Sequence, residues 1–379
     1  MQSSHFHVST QWAVRRDELR GRILSVDAAG FEPLALDIFR YQAALNPKYQ
    51  AYLEARRIDP ASIQSLLAIP FMPIGFFKQH AIVSASQPVA GLIDEAICFA
   101  SSGTTGDTTS RHYLFDTGLY EAVSRRIFEE TYGPLTDFHI LALLPSYLER
   151  NNSSLVYMVQ QFVAETGSAD SGFYLNNTAE LTEQIRQLLT TSSRRILLIG
   201  VTFALLDWVE TTPDLQFIGE SGRVVVMETG GMKGRRREMI REEVHAILTD
   251  RLGIPAIHSE YGMTELLSQG YSTGEGLFQP GATMRVLLRD VNDPLTITPP
   301  QPLPNREGLK NSQVKAPPYW GGVGEGFRTG GINVVDLANL DSCSFIETND
   351  LGQYGPQPES FRVMGRFDNS DVRGCNLMV

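Results

Sequence analysis

Several short polar segments of the sequence contain residue types that could hold a phosphate chain. The first follows an apolar run and consists of hydroxyl and glycine residues: Ser101, Ser102, Gly103, Thr104, Thr105 and Gly106. Glycine permits tight or left-handed backbone, so successive N–H groups can converge on one anion, while the hydroxyls add uncharged donors. The loop is not of the Walker A type, because no Gly-Lys-Ser or Gly-Lys-Thr follows it. Taken alone, its composition fits a surface loop equally well.

Two further segments could hold a flat ring and a metal ion. Gly230 and Gly231 follow an apolar run, and backbone beside adjacent glycines can closely approach a ring or a phosphate. Tyr261, Thr264 and Glu265 follow another apolar run. An aromatic ring can stack on a base, and a carboxylate is a ligand that Mg²⁺ prefers. The alternatives are an ordinary strand–turn–helix junction and a Tyr-Gly turn capped by Thr264.

The last two candidate binding residues lie towards the C-terminus. Asp350 follows a strand-like piece and could accept two hydrogen bonds from a ribose diol, although an Asp-Leu-Gly turn is a common alternative. Arg366 belongs to a Gly-Arg-x-Asp sequence that ends at Asp368. Each segment alone is a weak signal, and their order along the chain is the informative feature.

The elements that must position these residues alternate between strands and helices. Short apolar runs predict strands at residues 96–100, 139–144, 195–200, 223–229, 254–258 and 284–289. Between them, apolar residues recur at helical spacing, as at Leu119, Val123 and Ile127. This alternation predicts an α/β fold with a mostly parallel sheet flanked by helices. Ligands of such sheets bind outside the carboxyl ends of the strands, where several candidate segments lie.

The chain divides by composition into four regions. Residues 1–85 are predicted to be mainly helical, and residues 86–290 to form the α/β core. Residues 291–320 contain seven prolines and few apolar residues, which predicts a loop rather than a core element. Residues 321–379 contain short strand-like pieces and a polar tail with a cysteine.

Composition and charge exclude several classes of protein. With 379 residues, 42% hydrophobic and 20% charged, the chain has a globular composition and can bury a full core. A net charge of −11 without a long basic run argues against binding to nucleic acid or anionic lipid. Three widely spaced cysteines argue against a zinc site and against a secreted disulfide framework. No apolar run is long enough to span a membrane, and the expected location is cytoplasmic.

The order of the candidate segments resembles that of the adenylate-forming superfamily of acyl-CoA synthetases, luciferases and peptide-synthetase adenylation domains. The likeness covers residues 95–375 and runs from the Ser/Thr/Gly loop through Gly-Gly, Tyr-Gly-x-Thr-Glu and Thr-x-Asp-Leu-Gly to Gly-Arg-x-Asp. Within the superfamily, the sequence is most similar to the acyl-protein synthetases of bacterial light-emitting systems, which supply a fatty acid reductase. The segments similar to that family are residues 69–71, 76–78, 101–106, 110–112, 144–150, 153–158, 229–236, 261–269 and 373–375.

The resemblance implies that the protein uses ATP and Mg²⁺. The Ser/Thr/Gly loop would hold the ATP phosphates. Gly230 and Gly231 would line the adenine, and Tyr261 would stack on it. The reaction implied is attack of a carboxylate on the α-phosphorus of ATP, which releases pyrophosphate and leaves an acyl-adenylate. Positioning and stabilisation of the leaving charge should supply most of the catalysis.

The same resemblance assigns roles to the remaining candidates. Thr264 would contact the α-phosphate, and Glu265 would bind Mg²⁺. Asp350 would hold the ribose hydroxyls, with Arg366 close by.

Two departures from the superfamily pattern concern cations. Most members have a lysine shortly after the glycine-rich loop, where this sequence has Arg111 as a stand-in for the phosphate-binding cation. Most also have a small C-terminal domain with a second lysine, whereas this sequence ends at Val379. The fold expected is therefore the large N-terminal domain without the small one. Lys78, Lys233 or Arg235 could replace the second lysine, and the sequence does not distinguish among them.

Cys375 is the candidate residue for acyl transfer. It lies next to Gly374 and close to Arg373, and a nearby cation favours the nucleophilic thiolate. In the family that the sequence resembles, a tail cysteine takes the acyl group and passes it to a partner protein. The alternative is an inert tail cysteine. Cys98 is expected in the core, and Cys343 has no expected role.

Three functional hypotheses follow. The first is an ATP-dependent acid–thiol ligase that activates a carboxylic acid, favoured as a fatty acid, and passes it through Cys375 to a partner such as a fatty acid reductase. The second delivers the acyl group to coenzyme A or another small acceptor. The third is a non-catalytic nucleotide-binding protein. His112 and His258 could steer the reacting groups or simply be packed, and Tyr157 and Met158 could line an acyl pocket or a helix contact.

Overall fold

The computed structural model describes residues 2–85, 93–101, 109–144, 152–175, 177–230, 239–291, 293, 295–298 and 329–367. The helices are α1 (Gln2–Ser25), α2 (Phe31–Leu45), α3 (Pro47–Ala55), α4 (Phe76–Gln79), α5 (Thr117–Tyr132), α6 (Ser154–Glu165), α7 (Thr178–Thr191), α8 (Thr202–Thr211), α9 (Phe217–Glu220) and α10 (Arg241–Leu252). Short 3-10 turns lie at Pro60–Ser62, Leu66–Ala68 and Leu135–Asp137. No helix in these ranges combines the length and apolar character that crossing a bilayer requires.

The strands of the described ranges are short and numerous. They are β1 (Met72–Pro73), β2 (Ile97–Ala100), β3 (Arg111–Leu114), β4 (Phe138–Leu143), β5 (Gly172–Tyr174), β6 (Arg195–Gly200), β7 (Val224–Glu228), β8 (His258–Tyr261), β9 (Gly270–Ser272), β10 (Leu277–Pro280), β11 (Met284–Arg289), β12 (Ile297–Thr298), β13 (Thr329–Asp336), β14 (Phe345–Tyr354) and β15 (Phe361–Arg366).

A mixed sheet of 13 strands lies at the centre of the described ranges. Its order is β12-β11-β13-β14-β15-β10-β9-β8-β7-β6-β4-β5, with β1 paired to β14. Strands β5, β4, β6, β7 and β8 pair in parallel, because helices connect them. From β8 to β12 the neighbours are antiparallel. The predicted α/β fold is confirmed, but the sheet is mixed rather than mostly parallel, because parallel pairing is confined to β5 through β8 and to the β1–β14 pair.

Three predicted elements differ in detail. The strand predicted at 96–100 is present as β2, but it pairs only with β3 in a separate two-stranded sheet. The strand predicted at 254–258 is instead β8, because pairing with β7 begins at His258. The Asp-Leu-Gly turn considered as the alternative at residues 350–352 is strand, because β14 lies between β13 and β15 and pairs with β13 as far as Gln353 and with β15 as far as Tyr354.

Local sequence accounts for the way the helices begin and end. Asn46 caps α3, because its side-chain oxygen accepts from the N–H groups of Lys48 and Tyr49 at 3.1 and 3.0 Å. Pro47 follows at the first helical position, where its fixed φ suits the helix. Helix α10 ends at Gly253, whose φ of +66° is the left-handed conformation that glycine adopts most readily.

The N-terminal helices share one hydrophobic core with the sheet and are tied to the turn that precedes β14. The buried Gln42 amide donates to the carbonyl of Asn339 at 2.8 Å, and its oxygen accepts from the N–H of Ser344 at 2.9 Å. Arg16 of α1 lies 2.5 Å from Asp341 Oδ2. These contacts fix the turn before β14, and that turn also contacts the candidate site. The boundaries of the four regions drawn from the sequence stay predictions.

The two described cysteines are both free. Cys343 is fully buried, and burial raises its pKa to about 12, so it is a core residue. Cys98 on β2 is half-buried, and burial raises its pKa as well. Neither thiol has the low pKa of a reactive cysteine.

Candidate functional site

Three of the predicted binding residues form one hydrogen-bonded group between β8, β14 and β15. The Tyr261 hydroxyl donates to Asp350 Oδ2 at 2.9 Å, and Arg366 Nε donates to Asp350 Oδ1 at 3.0 Å. Asp350 lies directly opposite Arg366 in the β14–β15 pair. Tyr261 and Asp350 are buried, whereas the Arg366 side chain is 71% exposed. The guanidinium is therefore open to a ligand while the carboxylate beneath it is fixed.

Aromatic side chains hold the Tyr261 ring in place. Phe278 of β10 and Phe361 of β15 contact it edge-on, at centroid distances of 5.9 and 5.3 Å. Burial, and then the charge of Asp350, raise the pKa of Tyr261 well above its usual range. The phenol therefore stays protonated at neutral pH and can donate to Asp350.

Glu265 lies beside the base of the Ser/Thr/Gly loop. The Ser101 N–H donates to the Ser110 carbonyl at 3.0 Å, and the Ser110 N–H donates to Ser101 Oγ at 2.9 Å, so the described residues on either side of residues 102–108 bond to each other. Glu265 is buried, and burial raises its pKa, while a hydrogen bond from the Ser110 side chain lowers it. The charges of Arg366 and Asp350 also shift the pKa of Glu265. Glu265 therefore lies within electrostatic reach of the group formed by Tyr261, Asp350 and Arg366.

A buried histidine links the hairpin β2–β3 to Thr264. His112 Nδ1 lies 2.9 Å from the Thr264 carbonyl oxygen, so the N–H must be on Nδ1. Burial lowers the pKa of His112 to about 4, so the ring is neutral at physiological pH. His258 is also neutral, because burial lowers its pKa to about 4, and its Nδ1 lies 3.1 Å from the Tyr132 hydroxyl. Both rings are packed against neighbouring elements, and His112 holds the Thr264 carbonyl.

A buried carboxylate holds the backbone that follows Glu265. Asp336 is fully buried at the end of β13 and accepts hydrogen bonds of 2.6 to 3.2 Å. The donors are the N–H groups of Leu267, Ser268 and Ala338, the Ser268 hydroxyl and the Asn339 amide. The Asn339 amide also donates to the Glu265 carbonyl at 2.8 Å. This network fixes the turn on which Thr264 and Glu265 lie.

Replacing Asp336 by alanine is expected to lower the free energy of unfolding by about 3–5 kcal/mol, because buried N–H donors would lose their acceptor. Urea unfolding followed by circular dichroism measures the change. Asp17→Ala is the matched control, since the Asp17 side chain is 78% exposed and its contact with Arg16 spans 3.7 Å. Equal, small effects of the two substitutions would contradict this account of the network.

Gly230 lies at the end of β7, above a buried carboxylate that the sequence analysis did not assign. The Gly230 N–H donates to Glu228 Oε2 at 2.6 Å, and the Thr202 hydroxyl donates to the same oxygen at 3.0 Å. Arg241 Nε lies 3.3 Å from Glu228 Oε1, and His245 Nε2 lies 3.7 Å from it. The φ of Gly230 is +74°, which favours glycine. Glu228 therefore fixes the backbone at this predicted adenine-binding position.

The charge of Glu228 is stabilised by its donors. Burial alone would raise its pKa, but His245, Arg241, Ser259 and the Gly230 N–H outweigh burial and lower the pKa to about 2. Because the folded pKa lies below the ordinary value of 4.5, this stabilisation is fully present above pH 4.5. It is lost as the pH falls towards 2.

Replacing Glu228 by glutamine is expected to lower the free energy of unfolding at pH 7 by roughly 2–4 kcal/mol. The difference from the unchanged protein should shrink as the pH falls from 4.5 to 2, because in that interval Glu228 binds a proton in the unfolded state before it does so in the folded state. Urea titrations at several pH values test this, with the exposed Glu243→Gln on α10 as the control. If the difference in the free energy of unfolding stayed constant with pH, Glu228 would not carry the stabilised negative charge assigned to it.

The candidate cations differ in their surroundings. Arg111, at the start of β3, is exposed, and no described residue forms an ion pair with it. Lys78, in α4, is exposed as well. The other predicted residues lie outside the described ranges: Ser102, Gly103, Thr104, Thr105, Gly106, Gly231, Lys233, Arg235 and Cys375. Their roles remain predictions.

An aromatic cluster lies beside the hairpin β2–β3. The Tyr120 and Tyr157 rings stack at 5.9 Å, and Phe99 contacts both edge-on at 6.0 and 5.6 Å. The Tyr157 hydroxyl donates to Glu121 Oε1 at 2.5 Å. Tyr157 is only half-buried, whereas Met158 is buried in the core. The Tyr157 ring is therefore part of a helix contact with one side open, and Met158 packs inside.

The sequence analysis missed four polar residues of this region. Glu228, Glu260, Asp336 and Asn339 are all buried or half-buried next to the predicted candidates. A signal for two of them exists, because Glu228 and Asp336 each end a strand directly after apolar residues. A charged residue at the carboxyl end of a buried strand needs partners, and such partners concentrate at sites.

Comparison with known protein families gives no match, and no curated protein matches. Two structures of coronafacic acid ligase from Pectobacterium brasiliense, one a mutant form, are similar, each 13% identical over 65% of this chain and 43% of its own, with TM-scores of 0.41 and 0.39. A red-emitting luciferase from Phrixothrix hirtus is 13% identical over 82% of this chain and 47% of its own, with a TM-score of 0.37. The chain spans less than half the length of these proteins. Likeness at this level does not identify a reaction or a substrate.

Proposed function

We propose that this protein activates a carboxylic acid with ATP, forming an acyl-adenylate and releasing pyrophosphate. The observation that supports this most is the convergence of residues from distant parts of the chain. Tyr261, Asp350 and Arg366 share hydrogen bonds, and Glu265 lies within reach of their charges. These are the residues to which the sequence resemblance assigns base, ribose and metal contacts.

The described donors and acceptors fit a nucleoside. Each carboxylate oxygen of Asp350 has one protein donor, and a carboxylate has about four acceptor positions, so ribose hydroxyls can still bind. The Gly230 backbone is held at a positive φ by Glu228, with no side chain to cover the strand end. In the proposed complex the adenine lies between this backbone and Tyr261.

The site also fits Mg²⁺ bound together with phosphates. Mg²⁺ usually takes one or two protein carboxylates and completes its shell with water and substrate phosphates. Glu265 provides one such carboxylate, and the described residues contain no group of three or more metal ligands. When bound, the ion would neutralise charge on the phosphates. Burial raises the pKa of Glu265, so the neighbouring groups of the free protein do not fully offset the cost of burying its negative charge.

The proposed reaction forms one bond and breaks one. An oxygen of the acid attacks the α-phosphorus, and the bond to the β-phosphate oxygen breaks, so that pyrophosphate leaves with the electron pair. Arg366 and Arg111 are exposed cations that can stabilise the charge on the phosphates. His112 holds the Thr264 carbonyl, and Asn339 holds that of Glu265, so both residues stay fixed during the step.

We further propose that the acyl group passes to Cys375 and then to a partner protein. The Cys375 thiolate would attack the acyl carbon, the carbon–sulfur bond would form, and AMP would leave. The support is the sequence resemblance, which also favours a fatty acid as substrate and a fatty acid reductase as the type of partner. Cys98 and Cys343 are poor alternatives, because burial raises the pKa of both.

Incubation with Mg-ATP and a panel of carboxylic acids tests both proposals. Pyrophosphate release should depend on the acid, and intact-mass spectrometry should detect a hydroxylamine-labile acyl adduct. Cys375→Ser should abolish the adduct while the matched Cys98→Ser keeps it. Release without an adduct would assign the acyl group to a diffusible acceptor, and an adduct that survives in Cys375→Ser would refute the role of that residue.

A further inference from the structure

A buried arginine at the end of β11 reaches across β13 to β14, the strand that contains Asp350. Arg289 Nη1 donates to the Ile332 carbonyl and to Asn333 Oδ1, both at 2.9 Å. Its Nη2 donates to the Thr348 carbonyl at 2.7 Å. Burying a charge is costly unless its hydrogen bonds are made, and here the guanidinium makes them mainly to the backbone of two neighbouring strands.

The backbone that Arg289 contacts is irregular at Asp350. The register of β13 against β14 shifts at Ile332, so that this one residue faces residues 348–350 of β14. Such a bulge takes carbonyl and N–H groups out of the regular ladder, and buried groups of this kind need other partners. Arg289 serves both sides of the bulge, because it donates to the carbonyls of Ile332 and Thr348.

Thr348 links Arg289 to Asp350. Its carbonyl accepts from Arg289, and its hydroxyl donates to the Ile332 carbonyl at 2.8 Å. The same hydroxyl accepts from the Asp350 N–H at 3.1 Å. The position of the Asp350 backbone therefore depends on a residue that Arg289 holds.

The same guanidinium lies near the residue that follows Arg366. The guanidinium carbon of Arg289 lies 5.4 Å from the centre of the Phe367 ring, and the Phe367 N–H donates to the Asn349 carbonyl at 2.6 Å. Arg289 therefore contacts both chain segments whose side chains form the Asp350–Arg366 pair.

Gly331 of β13 leaves the space that the guanidinium occupies. It lies opposite Arg289 in the β11–β13 pair, and a Cβ atom on it would lie 2.4 Å from the guanidinium carbon. A side chain at this position would displace the guanidinium. Gly331→Ala is therefore a variant that moves the charge of Arg289 without removing it.

Resting on the proposed function, we propose that Arg289 is a positioning residue that gives the site its preference for ribose over deoxyribose. It does not contact the nucleotide. By holding the bulge, it keeps the Asp350 carboxylate, which also accepts from Tyr261 and Arg366, where its remaining acceptor positions meet the ribose hydroxyls. A hydrogen bond that discriminates between two ligands needs a rigidly held acceptor, since a small displacement weakens it.

Isothermal titration calorimetry with Mg-ATP, Mg-2′-deoxy-ATP and Mg-3′-deoxy-ATP tests the proposal without any acid substrate. The unchanged protein should bind ATP at least about tenfold more tightly than a deoxy analogue, because a hydrogen bond to Asp350 is lost. Arg289→Met and Gly331→Ala should each reduce this preference to below about threefold. Arg289→Lys should lie between, because its single ammonium keeps the charge but lacks the planar fork.

Arg285 on the same strand provides the matched control. The Arg285 and Arg289 side chains are 12% and 6% exposed. Arg285 Nε lies 2.6 Å from Glu359 Oε1, and its guanidinium carbon lies 4.2 Å from the centre of the Phe31 ring. Urea unfolding should show that Arg285→Met and Arg289→Met both lower the free energy of unfolding. Only Arg289→Met should lose the preference for ribose, which a merely structural role would leave unchanged.

The outcomes separate the inference from the function on which it rests. If Arg289→Met kept the preference of the unchanged protein, Arg289 would have no positioning role, and Gly331→Ala gives the same readout if Arg289→Met does not fold. Equal binding of ATP and both deoxy analogues to the unchanged protein would overturn the ribose contact of Asp350 and the role of Arg289 together. ATP binding with this preference but without acid-dependent pyrophosphate release would overturn acid activation alone.

Discussion

Replacing Glu265 by glutamine is expected to lower kcat for acid-dependent pyrophosphate release by two to three orders of magnitude. The amide cannot supply the negative charge that holds Mg²⁺ at the phosphates. The fold should be unaffected or slightly more stable, because burial raises the pKa of Glu265 and its charge is therefore unfavourable to the folded state at pH 7. Steady-state kinetics at several Mg²⁺ concentrations, beside urea unfolding, measure both effects.

The combination of lost activity and retained stability is what distinguishes a ligand-binding carboxylate from a structural one. Glu275→Gln is the control, since its side chain is 90% exposed and should affect neither quantity. If Glu265→Gln kept more than a tenth of the activity, Glu265 would not be the metal ligand. If the variant lost several kcal/mol of stability instead, Glu265 would belong with Asp336 as a structural carboxylate.

Replacing Asp350 by asparagine is expected to raise KM for ATP about 10- to 100-fold while kcat falls less. Asp350 accepts from Tyr261 and Arg366, and the neutral amide would weaken both bonds as well as those proposed to the ribose. The Arg366 guanidinium would also lose the charge that orients it. Initial rates over a range of ATP concentrations give KM and kcat separately.

Tyr261→Phe is the matched variant, because it removes one donor to Asp350 and keeps the ring. Its effect on KM should be less than about tenfold, since one hydrogen bond to a charged group contributes about 1.5–3 kcal/mol and solvent or ligand can replace part of it. A larger effect from Tyr261→Phe than from Asp350→Asn would show that the hydroxyl, rather than the carboxylate, contacts the nucleotide.

The sequence predicted the buried apolar strands well. The predicted strands at 195–200 and 284–289 match β6 and β11, and 139–144 and 223–229 differ from β4 and β7 by one residue at each end. Strands that are buried on both faces form continuous apolar runs, and such runs are visible without any partner. Strand β8 was misplaced because its residues are His258-Ser259-Glu260-Tyr261, and this mostly polar run lacks the apolar pattern that marks the other strands.

The sequence identified the candidate residues by their type and their order along the chain, but it did not predict their contacts with one another. The sequence singled out Tyr261, Asp350 and Arg366 separately, and only the β14–β15 pairing brings the last two opposite each other. The turn interpretation of residues 350–352 failed because alternation of buried residues depends on neighbours on both sides of β14. Asn339 was missed because its importance follows from its contacts with Asp336 and Glu265, which local sequence does not contain.

The most direct test of the central claim is ATP–pyrophosphate exchange with the unmodified protein in the presence of Mg²⁺. Exchange of labelled pyrophosphate into ATP requires reversible attack of an acid on the α-phosphorus, and it needs neither Cys375 nor an acceptor. The account predicts exchange that appears only when a suitable carboxylic acid is added and that is lost in Glu265→Gln. ATP binding without acid-dependent exchange, across short, long, aromatic and amino-bearing acids, would contradict it and leave a nucleotide-binding protein.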